Sequence, residues 1–220
     1  MDTPDNPWPA FWFDPDCRRC PRLAGFLDEV RGLYPTYHAA PVAPFGDPRA
    51  RLLVVGLAPG MHGANATGRP FTGDHAGILL YETLHRYGFG SAPVSRARED
   101  GLVLTGCRIT NAVKCLPPQN KPTSGEARQC NAYLRAELAD LGVGSLILAL
   151  GRVAHGAVLM ALGLKSSTYP FAHGASHDLP AGRRLLDSYH CSRYNTQTGR
   201  LTTAMFQAVI AQARDWLPAA

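Results

Sequence analysis

The stretch from residue 51 to residue 60, Arg-Leu-Leu-Val-Val-Gly-Leu-Ala-Pro-Gly, decides the fold. Its first six residues predict a buried β-strand, because a short apolar run that ends at a glycine is typical of a strand covered on both faces. The residues that follow predict a tight loop at the carboxyl end of this strand. Open parallel sheets bind ligands at these carboxyl ends, so functional residues are expected in this loop and its neighbours.

From this strand outward, short apolar runs alternate with stretches of helical periodicity. Strands are predicted at residues 51–56, 107–115, 145–151 and 184–190, and helices at 21–34, 74–88, 123–142, 153–163 and 201–217. The alternation predicts an α/β/α sandwich around a central four-stranded parallel sheet, which we expect to form one domain over residues 1–220. Residues 164–182 are predicted to be an irregular surface loop.

The composition favours some classes of protein over others. The chain has 220 residues and a formal net charge of +5, and its basic residues are mostly arginine, which modestly favours a partner that carries phosphates. The N-terminal residues lack the pattern of a secretory signal, and no run reaches the roughly 18 apolar residues of a membrane span. We therefore expect a cytoplasmic protein with no membrane partner, whose cysteines do not form disulfides.

Four of the six cysteines are spaced like metal ligands: Cys17, Cys20, Cys115 and Cys130. The first two form a CxxC pair that can bind a metal centre from one turn, and the two distant thiols would complete the site on folding. Four thiolates accept either a zinc ion or an iron–sulfur cluster, so the spacing leaves both open. The alternative, that a cysteine is simply a small core residue, is preferred for Cys107 and Cys191.

Polar residues accompany the predicted strand ends. Asp74 follows the glycine-rich loop and opens a helix, Asn111 lies in the second strand, and His190 ends the last strand. Glycines let backbone amides approach a ligand closely, and a helix N-terminus attracts anions. The alternative leaves Asp74 as an ordinary N-cap and Asn111 as a structural residue.

Four segments resemble motifs of the uracil-DNA glycosylase superfamily, and specifically of its iron–sulfur branch known as family 5. They are Gly-Leu-Ala-Pro-Gly at 56–60, Gly-Arg-Pro-Phe-Thr-Gly-Asp at 68–74, Asn-Ala-Val-Lys-Cys at 111–115, and His-Cys-Ser-Arg-Tyr-Asn at 190–195. The resemblance covers nearly the whole chain and implies a structural [4Fe–4S] cluster, held by the four cysteines named above, that ties residues 1–50 to the sheet. The family commonly has proline where this chain has Cys191, which we expect to alter the rigidity of that loop.

The resemblance also implies an enzyme that hydrolyses the bond between uracil and deoxyribose in a nucleotide rotated out of DNA. Phe71 would stack on the base, Asn111 would read its Watson–Crick edge, and His190 would stabilise the departing anion as a neutral donor. Asp74, helped by Asn120, would hold the attacking water or offset positive charge on the sugar. The remaining expected substrate contacts are Gly56, Ala58, Gly60, Ser192, Arg193 and Asn195.

The first motif is apolar at Leu57, where better-known branches carry a polar residue, often an acid. Family members with this feature are associated with other deaminated bases such as hypoxanthine, so we expect uracil as the main substrate and a broader range besides. One alternative is a strictly uracil-specific enzyme of the sister iron–sulfur branch, against which Leu57 argues. Another is a non-catalytic binder of damaged DNA, against which Asn111 and His190 argue.

DNA is expected to bind mainly through its phosphates. The predicted phosphate contacts are the basic side chains of Arg69, Lys114, Lys121 and Arg193. Arg193 and Tyr194 are also expected to fill the space that the rotated base leaves in the duplex. By analogy with the family, we expect a monomer associated with the nucleoid of a prokaryotic cell.

Overall fold

A six-stranded mixed sheet forms the centre of the computed structural model, which describes residues 8–217. Its strands are β1 (Phe45–Gly46), β2 (Leu52–Gly56), β3 (Cys107–Asn111), β4 (Leu146–Leu150), β5 (Ser176–Leu179) and β6 (Arg183–Ser188). They lie in the order β1-β3-β2-β4-β6-β5, and the four inner strands run parallel. The predicted four-stranded parallel sheet is therefore confirmed as the inner part of a larger sheet.

The two edge strands lie outside the prediction. β1 and β5 pair antiparallel with β3 and β6, respectively. The prediction of an irregular loop at 164–182 is wrong in part, because β5 lies within it. The sequence does not predict this strand, since most of its residues are polar and partly exposed and it has no apolar run. The strand expected at 107–115 is also corrected, since β3 ends at Asn111. Residues 112–117 stay buried after the chain leaves the sheet, so they continue the apolar pattern of a strand.

Within residues 8–217, seven α-helices surround the sheet. They are α1 (Pro21–Leu33), α2 (Ala64–Thr67), α3 (His75–Arg86), α4 (Ser124–Ala139), α5 (Arg152–Leu162), α6 (Arg193–Gln197) and α7 (Thr203–Trp216). α3 and α7 pack on one face of the sheet, and α4 and α5 pack on the other, which gives the three expected layers. No helix in this part of the chain is long and apolar enough to cross a membrane.

Successive residues of β2 enter two different apolar cores. Leu52 and Val54 pack with the side chains of α3 and α7, whereas Leu53 and Val55 pack with those of α4 and α5. Side chains alternate between the two faces of a strand, and here both faces are covered. This explains why the sequence of β2 is continuously apolar and does not alternate with polar residues.

The N-terminal segment packs against the rest of the molecule through α1. Leu23 and Leu27 of this helix are buried in a third apolar cluster with Val113, which follows β3. Arg22 also donates hydrogen bonds of 2.8 and 2.7 Å to the two carboxylate oxygens of Glu126 in α4. Packing and an ion pair therefore hold this segment, in addition to whatever the cysteines contribute.

A buried charge network joins β3 to α4. The Lys114 ammonium lies 2.6 Å from the Glu137 carboxylate, and both side chains are almost fully buried. Thr110 donates a hydrogen bond of 2.8 Å to the same carboxylate, and the Arg108 guanidinium lies 3.6 Å from it. Because removal of one partner leaves a buried charge uncompensated, such a network is sensitive to substitution.

Candidate active site

A cavity of ≈ 420 Å³ opens at the carboxyl ends of the parallel strands. The loop after β2, the start of α3, the end of β3 and the loop after β6 all contribute to its wall. The predicted site residues that line it are Ala58, Gly60, Phe71, Asp74, Asn111, Asn120, His190, Ser192 and Arg193. Residues that are distant in sequence thus meet at the edge where parallel sheets bind ligands.

Phe71 and Asn111 meet at Gly56, the last residue of β2. A Cβ atom at Gly56 would lie 2.4 Å from Asn111 Oδ1 and 2.7 Å from Phe71 Cζ, so this position requires glycine. The Asn111 side chain is buried, and within residues 8–217 its Oδ1 has no hydrogen-bond partner. A buried polar atom without a partner is unfavourable, and a ligand that brings a donor into the cavity would relieve it.

Phe71 is held in a strained conformation. Its φ of 58° is in the left-handed region, which is unfavourable for an aromatic residue. Its carbonyl oxygen packs against Gly77 of α3, where a Cβ atom would lie only 1.8 Å away. The Phe71 ring is stacked beside the His190 imidazole, with 5.9 Å between centroids and 28° between planes. Strain of this kind is typical of functional sites, and the ring is suited to stacking on a flat ligand.

His190 follows β6 and lines the cavity. Burial lowers the pKa of its imidazole to about 4, because a low-dielectric environment disfavours the charged ring. The ring is therefore neutral at physiological pH and retains one N–H donor. Such a donor can stabilise negative charge that develops on a ligand.

Asp74 occupies the N-cap position of α3, but its side chain does not cap that helix. The carboxylate instead accepts a hydrogen bond of 3.0 Å from the Ala64 N–H at the start of α2, so the N-cap interpretation is wrong for α3. Gly60 and Gly63 provide the space for it, since Cβ atoms there would lie 2.3 and 2.0 Å from Asp74 Oδ1. Burial raises the pKa of the Asp74 carboxyl, and the group lines the cavity.

Asn120 reaches the cavity from the 3-10 turn Pro118–Asn120. Its φ is 56°, and that of the preceding Gln119 is 55°. Two consecutive left-handed residues that are not glycine are uncommon, so this turn has an unusual backbone. Asn120 is exposed, so it lies at the solvent side of the cavity lining.

Hydrogen bonds between its own polar residues stabilise the loop after β6. Ser192 lines the cavity and caps α6, since its hydroxyl accepts a hydrogen bond of 3.4 Å from the Asn195 N–H. Asn195 lies outside the residues that line the cavity, and its side-chain amide donates a hydrogen bond of 2.8 Å to the His190 carbonyl. Asn195 is thus placed to support His190. Arg193 is exposed at the cavity rim.

His75, a cavity residue, is missing from the sequence-based predictions. It is the first residue of α3 and lines the cavity directly after Asp74. A single histidine in a predicted helix does not by itself indicate a functional role. Its position at the start of a helix that follows a strand-end loop could have identified it as a candidate. Its Nε2 lies 3.1 Å from the Thr196 hydroxyl of α6.

The four cysteines expected to bind metal line a single cavity. This cavity lies where the residues before α1 meet the segment after β3 and the helix α4, and its thiols are Cys17, Cys20, Cys115 and Cys130. Cys130 Sγ accepts a hydrogen bond of 3.3 Å from the Lys114 N–H. Among the described residues, no group of three Cys, His, Asp or Glu side chains has the geometry to hold a single metal ion. The four thiols thus share one cavity, as the spacing of the cysteines predicted.

The other two cysteines behave as predicted. Cys107 and Cys191 are fully buried among apolar side chains of the core. Burial raises the pKa of both thiols, so they are uncharged at neutral pH. Cys107 and Cys191 are thus small core residues.

The prediction of DNA contacts is wrong for two of the four basic residues. Lys121 and Arg193 are exposed. Arg69 is buried and forms an ion pair of 2.6 Å with Asp100, and Lys114 belongs to the buried network between β3 and α4. Neither acidic partner is adjacent in sequence, so the charge pattern alone does not reveal that these two cations are already paired.

Comparison with known proteins gives one consistent result. The model of the Uracil DNA glycosylase superfamily matches residues 43–214. A type-5 uracil-DNA glycosylase of Thermus thermophilus is 51% identical over 203 residues, 90% of this chain and 92% of that protein. A type-5 uracil-DNA glycosylase of Pyrobaculum aerophilum is 41% identical over 223 residues, 97% of each chain. A type-4 uracil-DNA glycosylase of Thermotoga maritima is 31% identical over 148 residues, 67% of each chain.

Proposed function

Because this chain belongs to the uracil DNA glycosylase superfamily and to its type-5 branch, we propose that it hydrolyses the N-glycosidic bond of uracil in DNA and so initiates base excision repair. One observation carries the proposal. A single cavity contains an aromatic ring, a buried amide whose oxygen has no partner within residues 8–217, a neutral imidazole and a half-buried carboxyl group. A nucleotide rotated out of the duplex would meet one of these groups at each step of the reaction.

Asn111 and Phe71 are proposed to recognise the base. The Watson–Crick edge of uracil presents an N–H donor beside a carbonyl acceptor, and the Asn111 side chain offers the complementary acceptor and donor. Its unpaired Oδ1 would accept the uracil N–H, which removes the penalty of burying that oxygen. Cytosine has the reversed pattern and would leave the oxygen facing a lone pair. Phe71 would stack on the base and add affinity without discrimination.

His190 is proposed to stabilise the leaving group. Breaking the bond leaves negative charge on the base and positive character on the sugar. A neutral imidazole N–H near O2 of the base would take up part of the negative charge, together with backbone N–H groups of residues 56–60. The lowered pKa of His190 supports this role, because the ring is uncharged and is still a donor.

Asp74 is proposed to act on the sugar side of the bond. Its carboxylate would hold the attacking water or offset the positive charge of the sugar, and Asn120 would help to orient the water. The raised pKa of Asp74 supports this role, because a desolvated carboxylate is a better proton acceptor. Since Leu57 makes the first motif apolar, that motif offers no side chain that competes for the role.

DNA is proposed to contact the rim of the cavity through its phosphates. Arg193 lines the cavity and Lys121 follows the lining residue Asn120 in sequence. Both side chains are exposed and form no ion pair with another described residue, so they can approach a phosphate freely. Tyr194, which is 70% exposed, would fill the space left by the rotated base together with Arg193.

The proposed ligands of a structural [4Fe–4S] cluster are Cys17, Cys20, Cys115 and Cys130. All four thiols line one cavity, and four thiolates accept either an iron–sulfur cluster or a zinc ion, so the likeness to type-5 relatives supports the choice of the cluster. The N–H of Lys114 that Cys130 Sγ accepts would stabilise a thiolate ligand. When bound, such a cluster would tie residues 1–50 to the sheet and complete a single domain over 1–220.

Three further properties are proposed on the family resemblance. The apolar Leu57 supports a substrate range that includes hypoxanthine and other deaminated bases. We propose that the protein acts as a monomer. We also propose that it acts in the cytoplasm, in association with the nucleoid.

One assay tests the function. The purified protein is incubated with oligonucleotides that carry one uracil or one hypoxanthine, and alkali then cleaves any abasic site. Strand breaks at uracil are expected, and breaks at hypoxanthine are expected from the broader range. Breaks at uracil alone would indicate the strict specificity of the alternative branch. DNA binding with no strand break would indicate a non-catalytic binder and would overturn the proposal.

A further inference from the structure

We infer that His75 is a positioning residue, which holds the loop carrying His190 against the helix carrying Asp74 by donating a hydrogen bond to Thr196. The inference rests on the proposed function and adds a residue to it. His75 begins α3 and lines the cavity that holds Phe71, Asn111 and His190, which we call the base cavity. It also lines the groove next to this cavity. Its Nε2 and Thr196 Oγ1 are 3.1 Å apart.

The surroundings of Thr196 fix the direction of this hydrogen bond. The Thr196 hydroxyl oxygen lies 3.2 Å from the Ser192 carbonyl and 3.1 Å from the Arg193 carbonyl. Carbonyl oxygens only accept, and a helical threonine commonly donates its one hydroxyl proton to a carbonyl in the preceding turn. On this ground we assign the Thr196 proton to one of these carbonyls. The hydroxyl oxygen is then the acceptor, and the His75 Nε2–H is the donor.

The loop is anchored in the core by Cys191 before α6 and by Leu201 after it, whereas α6 has no buried side chain of its own. It has only five residues, and a helix of this length is not stable in isolation. The contacts of Ser192 and Asn195 described above lie within the loop, so they shape it without fixing its position on the molecule. In the described part of the chain, the bond from His75 to Thr196 is the one side-chain hydrogen bond between α3 and α6.

The hydrogen bond from His75 to Thr196 is expected to affect how Asp74 and His190 are placed for the reaction. Asp74 and His190 act on the sugar side and the base side of the same bond, and they belong to different elements of the fold. Catalysis of this kind depends on groups that are already oriented before the charge develops. The link between α3 and α6 therefore affects the rate of bond cleavage more than the affinity for DNA.

The test measures single-turnover uracil release and the Kd for uracil-containing DNA separately. His75→Ala and Thr196→Val are each expected to slow uracil release about fivefold, the usual effect of one neutral hydrogen bond, with a nearly unchanged Kd. The double variant should be no slower than either single variant, because both remove the same bond. Thermal melting confirms that each variant is folded.

Two amide variants of His75 test whether the position of the N–H donor matters, since both keep a polar side chain. His75→Gln places an amide N–H at the level of Nε2 and is expected to restore most of the rate. His75→Asn places it at the level of Nδ1, too short to reach Thr196, and should be as slow as His75→Ala.

Three results would overturn the inference: a parental rate in His75→Ala, additive losses in the double variant, or equal rates for the Gln and Asn variants. Failure of the parental protein to release uracil would instead count against the proposed function.

Discussion

Burial has opposite effects on the two residues proposed to act on the glycosidic bond. Loss of solvent lowers the pKa of the His190 imidazole and raises the pKa of the Asp74 carboxyl, since each group favours its uncharged form. One environment thus gives His190 the neutral donor and Asp74 the more basic carboxylate that their proposed roles require. Because both shifts disfavour the charged form in the folded state, the stability of the protein depends on the pH through these two groups.

Replacing His190 by Ala should slow uracil release about a hundredfold or more, because one well-placed donor to a leaving oxygen contributes about 3 kcal/mol. The Kd for uracil-containing DNA should stay near the parental value, since the donor acts mainly on charge that develops in the transition state. Single-turnover rates and DNA titrations measure the two quantities. A parental rate in this variant would mean that another group stabilises the departing base.

The pH dependence of stability should also reveal His190. The unfolded imidazole titrates near 6.5 and the folded one near 4, so the unfolded state binds more protons between these values. Stability should therefore fall as the pH drops from 6.5 towards 4, by about 2 kcal/mol between pH 7 and pH 5 from this group. Urea unfolding at both pH values measures it. The His190→Ala variant should lose about this much less stability than the parental protein, and an equal loss would contradict the prediction.

Replacing Asp74 by Asn should separate activity from stability. Because the pKa of Asp74 is raised in the folded state, the unfolded carboxyl ionises first as the pH rises above 3.8. The folded state therefore loses stability over this range, and the loss is complete above the folded pKa. Asn keeps an acceptor for the Ala64 N–H and carries no charge. Uracil release should fall about a hundredfold with melting unchanged or higher at pH 7. A lower melting temperature with a parental rate would show that Asp74 is only structural.

The candidate site was predictable where a motif residue stands at a strand end or at the start of the following helix. Asn111 and His190 are of the first kind and Asp74 is of the second, and all three line the base cavity. The sequence does not show that the Asp74 carboxylate serves α2 and leaves α3 uncapped, because that depends on how the glycine-rich loop folds back. Nor does it show His75, whose partner Thr196 lies on a separate element.

At the scale of elements, apolar runs identify β2 and β4 because both faces of these strands are covered. β5 is a polar edge strand, and β1 has two residues, so neither carries a hydrophobic period. The sequence does not predict α6 either, since this helix has five residues and none of them is buried. Tertiary pairing creates these elements, and local sequence does not encode them strongly.

Lys114 and Arg193 should differ in what they control, because one belongs to a buried network and the other to the cavity rim. Lys114→Met leaves Glu137 buried with less compensation and should destabilise the protein by about 3 kcal/mol. The slope of log affinity for DNA against log salt should not change. Arg193→Ala should reduce that slope by about 1 with stability unaffected, and Lys121→Ala serves as a second exposed variant. A smaller slope in Lys114→Met would mean that Lys114 reaches DNA after all.

At the scale of the whole molecule, the cavity and the cysteines occupy separate regions that share the segment after β3. Asn111 ends β3 and lines the base cavity, and Cys115 lines the other cavity four residues later. α1 packs on this same segment through Leu23, and the ion pair of Arg22 with Glu126 joins α1 to α4. Packing and an ion pair therefore attach the N-terminal segment, and the proposed cluster would add a second kind of attachment through the thiols.

Replacing Cys17 by Ser separates these two attachments. The parental protein should be brown and contain iron, whereas the variant should lose both, because three thiolates hold a cluster less well than four. The packing of α1 and its ion pair with α4 remain, so the soluble fraction should still release uracil near the parental rate. Limited proteolysis should cut the variant within residues 14–34 much faster than the parental protein, and its solubility should fall. Cys107→Ala, which removes a core thiol, should keep the iron and the protease resistance. A parental protein that contains zinc after anaerobic purification, or a Cys17→Ser variant that keeps its iron, would show that the cluster assignment is wrong.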